Sequence, residues 1–503
     1  MPMIESIIRA VSPQWALKRA QARNVLAYYE AARPDRQRKQ RRERGSGSAA
    51  VQIAGTSIRE QARHLEQNFD LARAILRSLV NNTVGAHGIT VEPQPLLPDG
   101  EVDQDLARAI LDFWDEWGER PEVTRQYSWP AIQRIFARTA YRDGEAFARF
   151  VSAGAIRHAS DIPLSLEVFE PDICPLGHDS AWEGRAVRDG IELNGWGQPV
   201  AYWLYRDHPG HQDASRIPWS DLRRISADEI IHYALRDRLH QRRGMSLFAS
   251  ILSRIDDLKD YETSEAVAAK VAASLGAAII KGAPDMYPLP DAGEELEPRE
   301  MRFRPGMVWD DLDPGERIEM VGTNGRPNPE LVNFRNSLLK AATSGTGAAY
   351  PSVSKDYDGS YSAQRQQLID SWVDYAVMSQ DLAASLVRPV YRRVVALAIG
   401  TGRILLPRGV SLRGAVNATY TPPTMPWIDP AKEAKAWIEL ERAGHASGPE
   451  IIRKRGRSPA DVLRESQQWQ SAREEAGLPL NQEAAPMAPA EPEQEDQDID
   501  EAA

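Results

Sequence analysis

Apolar residues at Ile58, Ala62, Leu65, Phe69, Ala72, Ile75, Leu76 and Leu79 recur at steps of three and four, which predicts an amphipathic helix over residues 57–84. Gly85 and Gly88 end it, a strand follows at 88–91, and a proline-rich loop runs to Pro98. Helices are predicted next at 103–118 and 129–143. From Glu145 to Tyr233 the period drops to two. The runs AFARFV, LSLEVF, AYWLYR and EIIHYAL read as strands, with a turn at Gly195, Trp196, Gly197, Gln198 and Pro199.

The pattern turns helical again at 244–276, with no interior Gly or Pro and an alanine-rich second half. At about 1.5 Å per residue such a helix spans about 48 Å, far beyond an ordinary globular helix, and reads as a strut inside an oligomer. Residues 282–333 read as loops with short strands. Residues 362–397 form another long amphipathic helix, kinked at Pro389. Before the first predicted domain, residues 1–32 suggest short amphipathic helices divided at Pro13. The run RPDRQRKQRRER (33–44) carries seven positive charges and leads into a Gly/Ser hinge. It is either a solvated linker or a contact for nucleic acid or an acidic partner. From about Glu483 the chain is Ala, Pro, Glu, Gln and Asp, a composition that predicts an acidic, disordered tail.

Composition narrows the class. At 503 residues, with 42% hydrophobic and 26% charged positions, the chain can hold several compact domains. Thirteen tryptophans suit cores first and interfaces second. The single cysteine, Cys174, excludes an intrachain disulfide and a Cys-based zinc site. No apolar run is long enough to span a membrane and the first residues lack a secretory pattern, so a soluble protein made inside a cell is expected. The net charge of −11 argues against a sequence-reading DNA binder and suits a conduit to which DNA does not stick.

Candidate chemistry is sparse. Ser344-Gly345-Thr346-Gly347 lacks the lysine of a phosphate-binding loop and reads as a turn, and no G-x-S-x-G elbow occurs. His208 and His211 sit in a loop without a third ligand, and His232 reads as a strand histidine satisfied by backbone. Asp256-Asp257 and Asp310-Asp311 are adjacent and diverge on a helix, so they read as solvated surface. The expectation is a protein that is not an enzyme, with no metal and no cofactor.

Several segments resemble the lambda-type tailed-phage portal protein family. Ile58-Arg59-Glu60-Gln61-Ala62-Arg63, Asn68 and Asn81-Asn82-Thr83-Val84-Gly85 resemble its R-x-R-A-R-x-L-x-x-N…N-x-V-G pattern, with Gln61 departing from it. Tyr141 to Phe147 resembles its G-E-x-F segment, and His232 with Arg242, Arg243, Gly244 and Ser246 its H…R-G-x-S segment. Phe334, Leu339 and Gly345 to Tyr350 precede Tyr357-Asp358-Gly359-Ser360-Tyr361-Ser362-Ala363-Gln364-Arg365, which is similar to Y-D-x-S-Y-S-x-x-R. Trp427-Ile428-Asp429-Pro430, Lys432, Glu433 and Ala436 resemble W-x-D-P-x-K-E-x-x-A. The basic arm and acidic tail lie outside the resemblance.

The resemblance implies an α+β, portal-type fold with long stem helices, a β-rich wing and clip region and a helical C-terminal part. Copies would close into a ring of about twelve at one capsid vertex. Double-stranded DNA would pass through it during packaging and ejection. Implied partners are the terminase large subunit, a head–tail connector protein, scaffold and major capsid protein, with assembly in the host cytoplasm and no membrane. On this basis 1–56 is a flexible basic arm, 57–128 N-terminal wing helices, and 129–281 stem helices with an intervening β-rich clip or wing segment. Residues 282–400 hold loops and a long wing helix, 401–482 the C-terminal wing and crown, and 483–503 the tail. The stem helices are expected at 129–143 and 244–276, and Arg254, Lys259 and Lys270 are candidate DNA-channel contacts. The competing reading is another head or connector protein without a DNA channel.

Overall fold

The computed structural model describes residues 45–152, 154, 156, 158, 160–211, 221–273, 276–281, 316–321, 330–357, 360–425 and 430–477. The expectations for 1–44, 282–315 and 483–503, and the Trp427–Asp429 part of the last motif, lie outside those residues.

The predicted helix at 57–84 is two helices, α1 (Gly47–Asn68) and α2 (Asp70–Thr83), separated by the extended Phe69 at φ −138°. Asn68 turns its side chain back onto the His64 carbonyl at 2.9 Å and Asp70 binds the Leu71 N–H at 2.8 Å, so polar side chains end one helix and open the next. Strand β1 (Thr90–Pro93) follows, then α3 (Gln104–Gly118), capped by the Asp103 carboxylate. Helix α4 (Trp129–Asp143) has the predicted bounds and stops at Gly144 in the left-handed region. Nine of its fifteen residues are buried, so α4 is a core helix, packed on α1, α2 and the following strand.

That strand, β2 (Glu145–Val151), is covered on both faces. It is the middle of a three-stranded antiparallel sheet between β3 (Ser165–Phe169) and β9 (Ile230–Ala234). Between them β4 (Ser180–Trp182), β5 (Arg185–Arg188), β6 (Ile191–Leu193), β7 (Pro199–Leu204) and β8 (Arg223–Ser226) form an antiparallel meander. The predicted turn at 195–199 joins β6 to β7. Alternation along β2 feeds two cores: Ala146 and Ala148 face the main one, while Phe147 joins Cys174, Ile191, Tyr202 and Leu204 in a smaller one.

The long helix expected from Gly244 starts later. Ser246 caps a 3₁₀ turn at Leu247–Ser250, and α5 runs Leu252–Ala273. Strands β10 (Gly276–Lys281) and β11 (Glu316–Val321) pair antiparallel, and α6 (Glu330–Thr346) packs back on α5. Arg335 meets Glu262 at 2.6 Å and Tyr261 meets Phe334 edge to face. After α7 (Tyr350–Ser354), Ser360 caps α8 (Tyr361–Leu382). A π-helical turn at Ala383–Val387 leads into α9 (Arg388–Gly400). The deformation expected at Pro389 is this turn: proline offers no N–H and crowds the carbonyl four residues back, and the wider spiral accommodates both.

Short α10 (Leu412–Ala415) and β12 (Ala418–Thr421) follow; β12 pairs with β1 and ties the two ends of the body. Helices α11 (Pro430–Arg442), α12 (Gly448–Lys454) and α13 (Pro459–Glu475) contain no buried residue. Trp114, Trp117 and Trp129 cluster in the main core, with the Trp117 indole donating to the Leu164 carbonyl, which fits the core reading for these three. No helix among the described residues is long and apolar enough to cross a membrane.

Candidate functional site

The motifs spread along the first half of the chain meet at one buried charged centre. Glu145, at the first position of β2, has no exposed side-chain surface. Its Oε1 accepts from Arg243 Nε at 2.9 Å and from Arg59 at 3.2 Å. Its Oε2 accepts from His232 Nε2 at 2.9 Å and from the Gly244 N–H at 2.9 Å. Arg243, 1% exposed, also donates to the carbonyls of Asp189 at 2.7 Å and Cys174 at 2.9 Å, and its guanidinium lies over the Phe147 ring. One arginine thereby holds β2 to the loops around Cys174 and Asp189.

The electrostatics follow from this geometry. Burial alone would raise the Glu145 pKa, but Arg243 and the bonds from His232 and Arg243 hold it below the ordinary carboxylate range. Burial would lower that of Arg243, and the adjacent Glu145 more than offsets it. Burial lowers the pKa of His232 against the pull of Glu145, which keeps the imidazole neutral. Its Nε2–H then donates to Glu145, and Nδ1 faces the Tyr202 hydroxyl at 3.4 Å. His232 was expected to be satisfied by backbone; a carboxylate and a phenol take that role, while Phe147 stacks on its ring at 4.3 Å.

A second layer of charges surrounds the first. Asp143 receives Arg63 at 2.8 Å and Arg142 at 2.7 Å, and Glu66 receives Arg142 and Arg138. Asp172 takes Arg63 at 2.5 Å, and Glu170 takes Arg142 at 3.0 Å. Five arginines (59, 63, 138, 142, 243) thus face five carboxylates (66, 143, 145, 170, 172). For the fully buried members, Arg59, Arg243, Asp143 and Glu145, pairing gains little over a well-packed apolar core, but removing one partner strands a buried charge at a cost of about 3–5 kcal/mol.

Glu170, Asp172 and His208 have ligand atoms within 4.8 Å of one another, the kind of set that can hold a metal. The donor set does not fit one, because Arg59, Arg63 and Arg142 already place three positive charges against these two carboxylates. His208 sits 3.3 Å from Glu170 instead. Burial pushes the Cys174 thiol up to about 11, so it is a poor nucleophile. Apart from Arg59 Nε and Asp189 Oδ1, which are buried without a hydrogen-bond partner, the donors of the centre meet acceptors, and it is a clamp joining α1, α4, β2, β9 and the lead-in to α5.

Arg59, Arg63, Glu145, His232, Arg243 and Gly244 were all within the motifs. Asp143 and Arg142 lay within the quoted Tyr141–Phe147 run, whereas Glu66, Glu170 and Asp172 were not marked and Cys174 was read only as the single cysteine. The one available signal was a glutamate opening an apolar strand. Arg254, Lys259 and Lys270 lie elsewhere, on α5, where Arg254 and Lys270 are exposed and Lys259 half-buried. At about 100° per residue Lys259 and Lys270 share one side of the helix and Arg254 turns away. In the Tyr357–Arg365 motif, Ser360 is the N-cap of α8, bonding the Ala363 N–H, and Gln364 reaches back to the Tyr357 carbonyl.

These features define a class, an α+β protein built round a buried charged clamp formed by its own sequence motifs. Residues 33–378 match the profile of the family described as phage portal protein, lambda family, and the chain belongs to that family. The match begins inside the basic run and stops short of Trp427. A probable portal protein of Halomonas phage phiHAP-1 is 26% identical over 422 residues, which cover 81% of this chain and 78% of that relative. Among solved structures, a chain in the virion of a native gene transfer agent particle is 15% identical with a TM-score of 0.42, covering 81% of this chain and 94% of its own. A chain from the neck of a native gene transfer agent particle computed with C12 symmetry is 16% identical with a TM-score of 0.38, covering 82% and 100%.

Proposed function

We propose that copies of this portal protein close into a ring of about twelve at one vertex of the phage head, and that double-stranded DNA moves through the opening during packaging and ejection. Membership of the portal family supports this reading, and the observation that carries it is the α5–α6 arm. Beyond Leu258 on α5 and before Leu339 on α6, no residue with a described side chain is buried. Val267, Val332 and Phe334 are 54%, 59% and 47% exposed. Two paired helices with so little burial are not stable alone, and neighbouring arms packed round an axis would cover them.

In this assignment the stem is built from α5 and α6, the clip lies at the β10–β11 end of the arm, and the buried α4 belongs to the body. The wing comprises the two cores and their sheets, and α11 to α13 contribute the crown. No catalytic residue is required. Energy for translocation would come from the terminase large subunit docked at the clip, later replaced by a head–tail connector. Scaffold and major capsid protein would surround the ring in the virion vertex, assembled in the host cytoplasm. Arg254, Lys259 and Lys270 are the candidate phosphate contacts on α5, set in a chain whose overall charge of −11 keeps DNA from adhering.

Negative-stain imaging and native mass measurement of the purified chain test this. Rings with a central opening wide enough for a duplex are expected; a persistent monomer or a particle without an opening overturns the reading.

A further inference from the structure

One face of α3 carries Asp105, Asp112 and Glu116, and the cap residue Glu119 continues it; all four are exposed, and spacings of seven, four and three residues put them on a single stripe. Like charges at that spacing repel and destabilise a helix. Arg403 reaches this stripe, meeting Glu116 at 2.9 Å. The stripe borders a groove of about 650 Å³ floored by Phe113 and rimmed by Leu405, whose side chain is 82% exposed. An apolar floor with an acidic rim suits a cationic segment with some apolar or aliphatic surface, and arginine stems supply that surface.

The chain contains one such segment outside the described residues. Residues 33–44 hold seven cations and two acids. They precede Gly45, whose carbonyl accepts from Arg238 at 2.9 Å. That exit point and the groove lie at opposite ends of the body. Helices α1 and α4 run antiparallel, with Arg59 beside Glu145 and Glu66 beside Arg138. The first residue of α4, Trp129, packs on Trp114 and Trp117 of α3. Adding α1 from Ser46 to Arg59 and α4 from Glu145 back to Trp129, at about 1.5 Å per residue, gives a separation of about 40 Å. Twelve fully extended residues span about 40 Å as well, so an arm of the same chain would arrive with only its last residue. Complementary patches at opposite ends of a subunit are what a head-to-tail, ring-closing contact requires.

We propose that the basic segment 33–44 of one copy docks in the acidic groove between α3 and residues 403–407 of the next copy, an exchange that rests on the ring reading above. The contact is electrostatic at its rim, so it weakens with salt, and the cations relieve the repulsion along α3.

The test uses the full chain carrying Arg38→Cys mixed with the full chain carrying Asp112→Cys, assembled under reduction and then oxidised. A covalent dimer is expected in at least tenfold greater yield than from either variant alone, or from Arg38→Cys mixed with Trp196→Cys, a control at a 93% exposed hairpin tip. Rings without that dimer overturn the inference and leave the ring reading standing; absence of rings from the unaltered chain overturns both. In a second arm, Asp105→Lys/Asp112→Lys/Glu116→Lys is expected to lower ring yield at least tenfold at low salt, with recovery when Arg38, Lys39, Arg41 and Arg42 are changed to Glu. If these arm changes abolish binding to duplex DNA while the triple variant assembles normally, nucleic acid is the occupant and the inference fails.

Discussion

Gly144 and Gly244 meet backbone to backbone: a Cβ built on Gly244 would lie 1.9 Å from the Gly144 carbonyl oxygen, and one on Gly144 would lie 2.5 Å from the carbonyl carbon of Met245. Gly144 also holds φ +94°, a conformation that side chains rarely adopt. The two glycines are consecutive with Glu145 and Arg243, so this close approach is what lets the Gly244 N–H and the Arg243 guanidinium reach one carboxylate. Gly244→Ala is expected to lower Tm by on the order of 5–10 °C, read by thermal denaturation. Gly195→Ala, whose Cβ would meet nothing within 4 Å, is the matched control and should leave Tm unchanged.

The clamp makes a second prediction about charge. Arg243→Met leaves Glu145 buried with less compensation, and Glu145→Leu leaves Arg243 and Arg59 buried together. Each single change is expected to cost about 3–5 kcal/mol, and Arg243→Lys nearly as much, because an ammonium cannot span the carboxylate and the two carbonyls at once. The double variant Glu145→Leu/Arg243→Met should lose less than the two singles added together, since neither partner then strands the other. Urea denaturation of the natural chain and the four variants checks this; strict additivity of the two singles would mean the pair is not coupled.

Acid should act on the clamp in two windows. The His232 pKa is lowered from 6.5 in the folded protein, so below 6.5 the unfolded chain binds a proton that the folded one refuses. That stabilisation is present above pH 6.5 and falls as pH drops below it. The Glu145 pKa is lowered from 4.5, so its contribution is present above 4.5 and is lost as pH falls further. Tm measured from pH 7.5 to 4 should decline below about 6.5 in the natural chain. His232→Gln should flatten the first decline and leave the second; an unchanged profile would separate His232 from the acid response.

Much of this was readable from the chain, and the failures have local causes. Helix α4 kept its predicted bounds because Trp129-Pro130 opens it and Gly144 closes it, both strong terminal signals. The break at Phe69 was missed because the apolar spacing runs straight through it, while the stop comes from the Asn68 and Asp70 side chains. The late start of α5 follows from Ser246, which captures the Phe248 N–H and imposes a 3₁₀ turn. Motif residues could be marked, but not their meeting point: Arg59 and Arg243 reach Glu145 across 86 and 98 positions. No periodicity encodes such a distance. The role of the motifs was legible only as recurrence of residue types, and became an electrostatic clamp once the fold placed them.

The exposed face of the arm separates folding from assembly. Phe334 is 47% exposed and meets Tyr261 through one ring edge, so Phe334→Asp removes little from the isolated subunit. In a ring of packed arms the same change puts a carboxylate into an apolar contact repeated once per copy, and a buried unpaired charge is among the costliest of substitutions. The expected outcome is a chain with an unchanged far-ultraviolet circular dichroism spectrum and a Tm within about 2 °C of the natural monomer, yet with rings absent from negative-stain fields. Lys259→Gln/Lys270→Gln is the contrasting case. It should leave rings intact and change only the salt dependence of DNA passage, since each phosphate contact removed shallows the slope of log affinity against log salt by about one. Rings surviving Phe334→Asp in normal number would place that face away from any neighbouring copy and remove the main support for an arm packed round an axis.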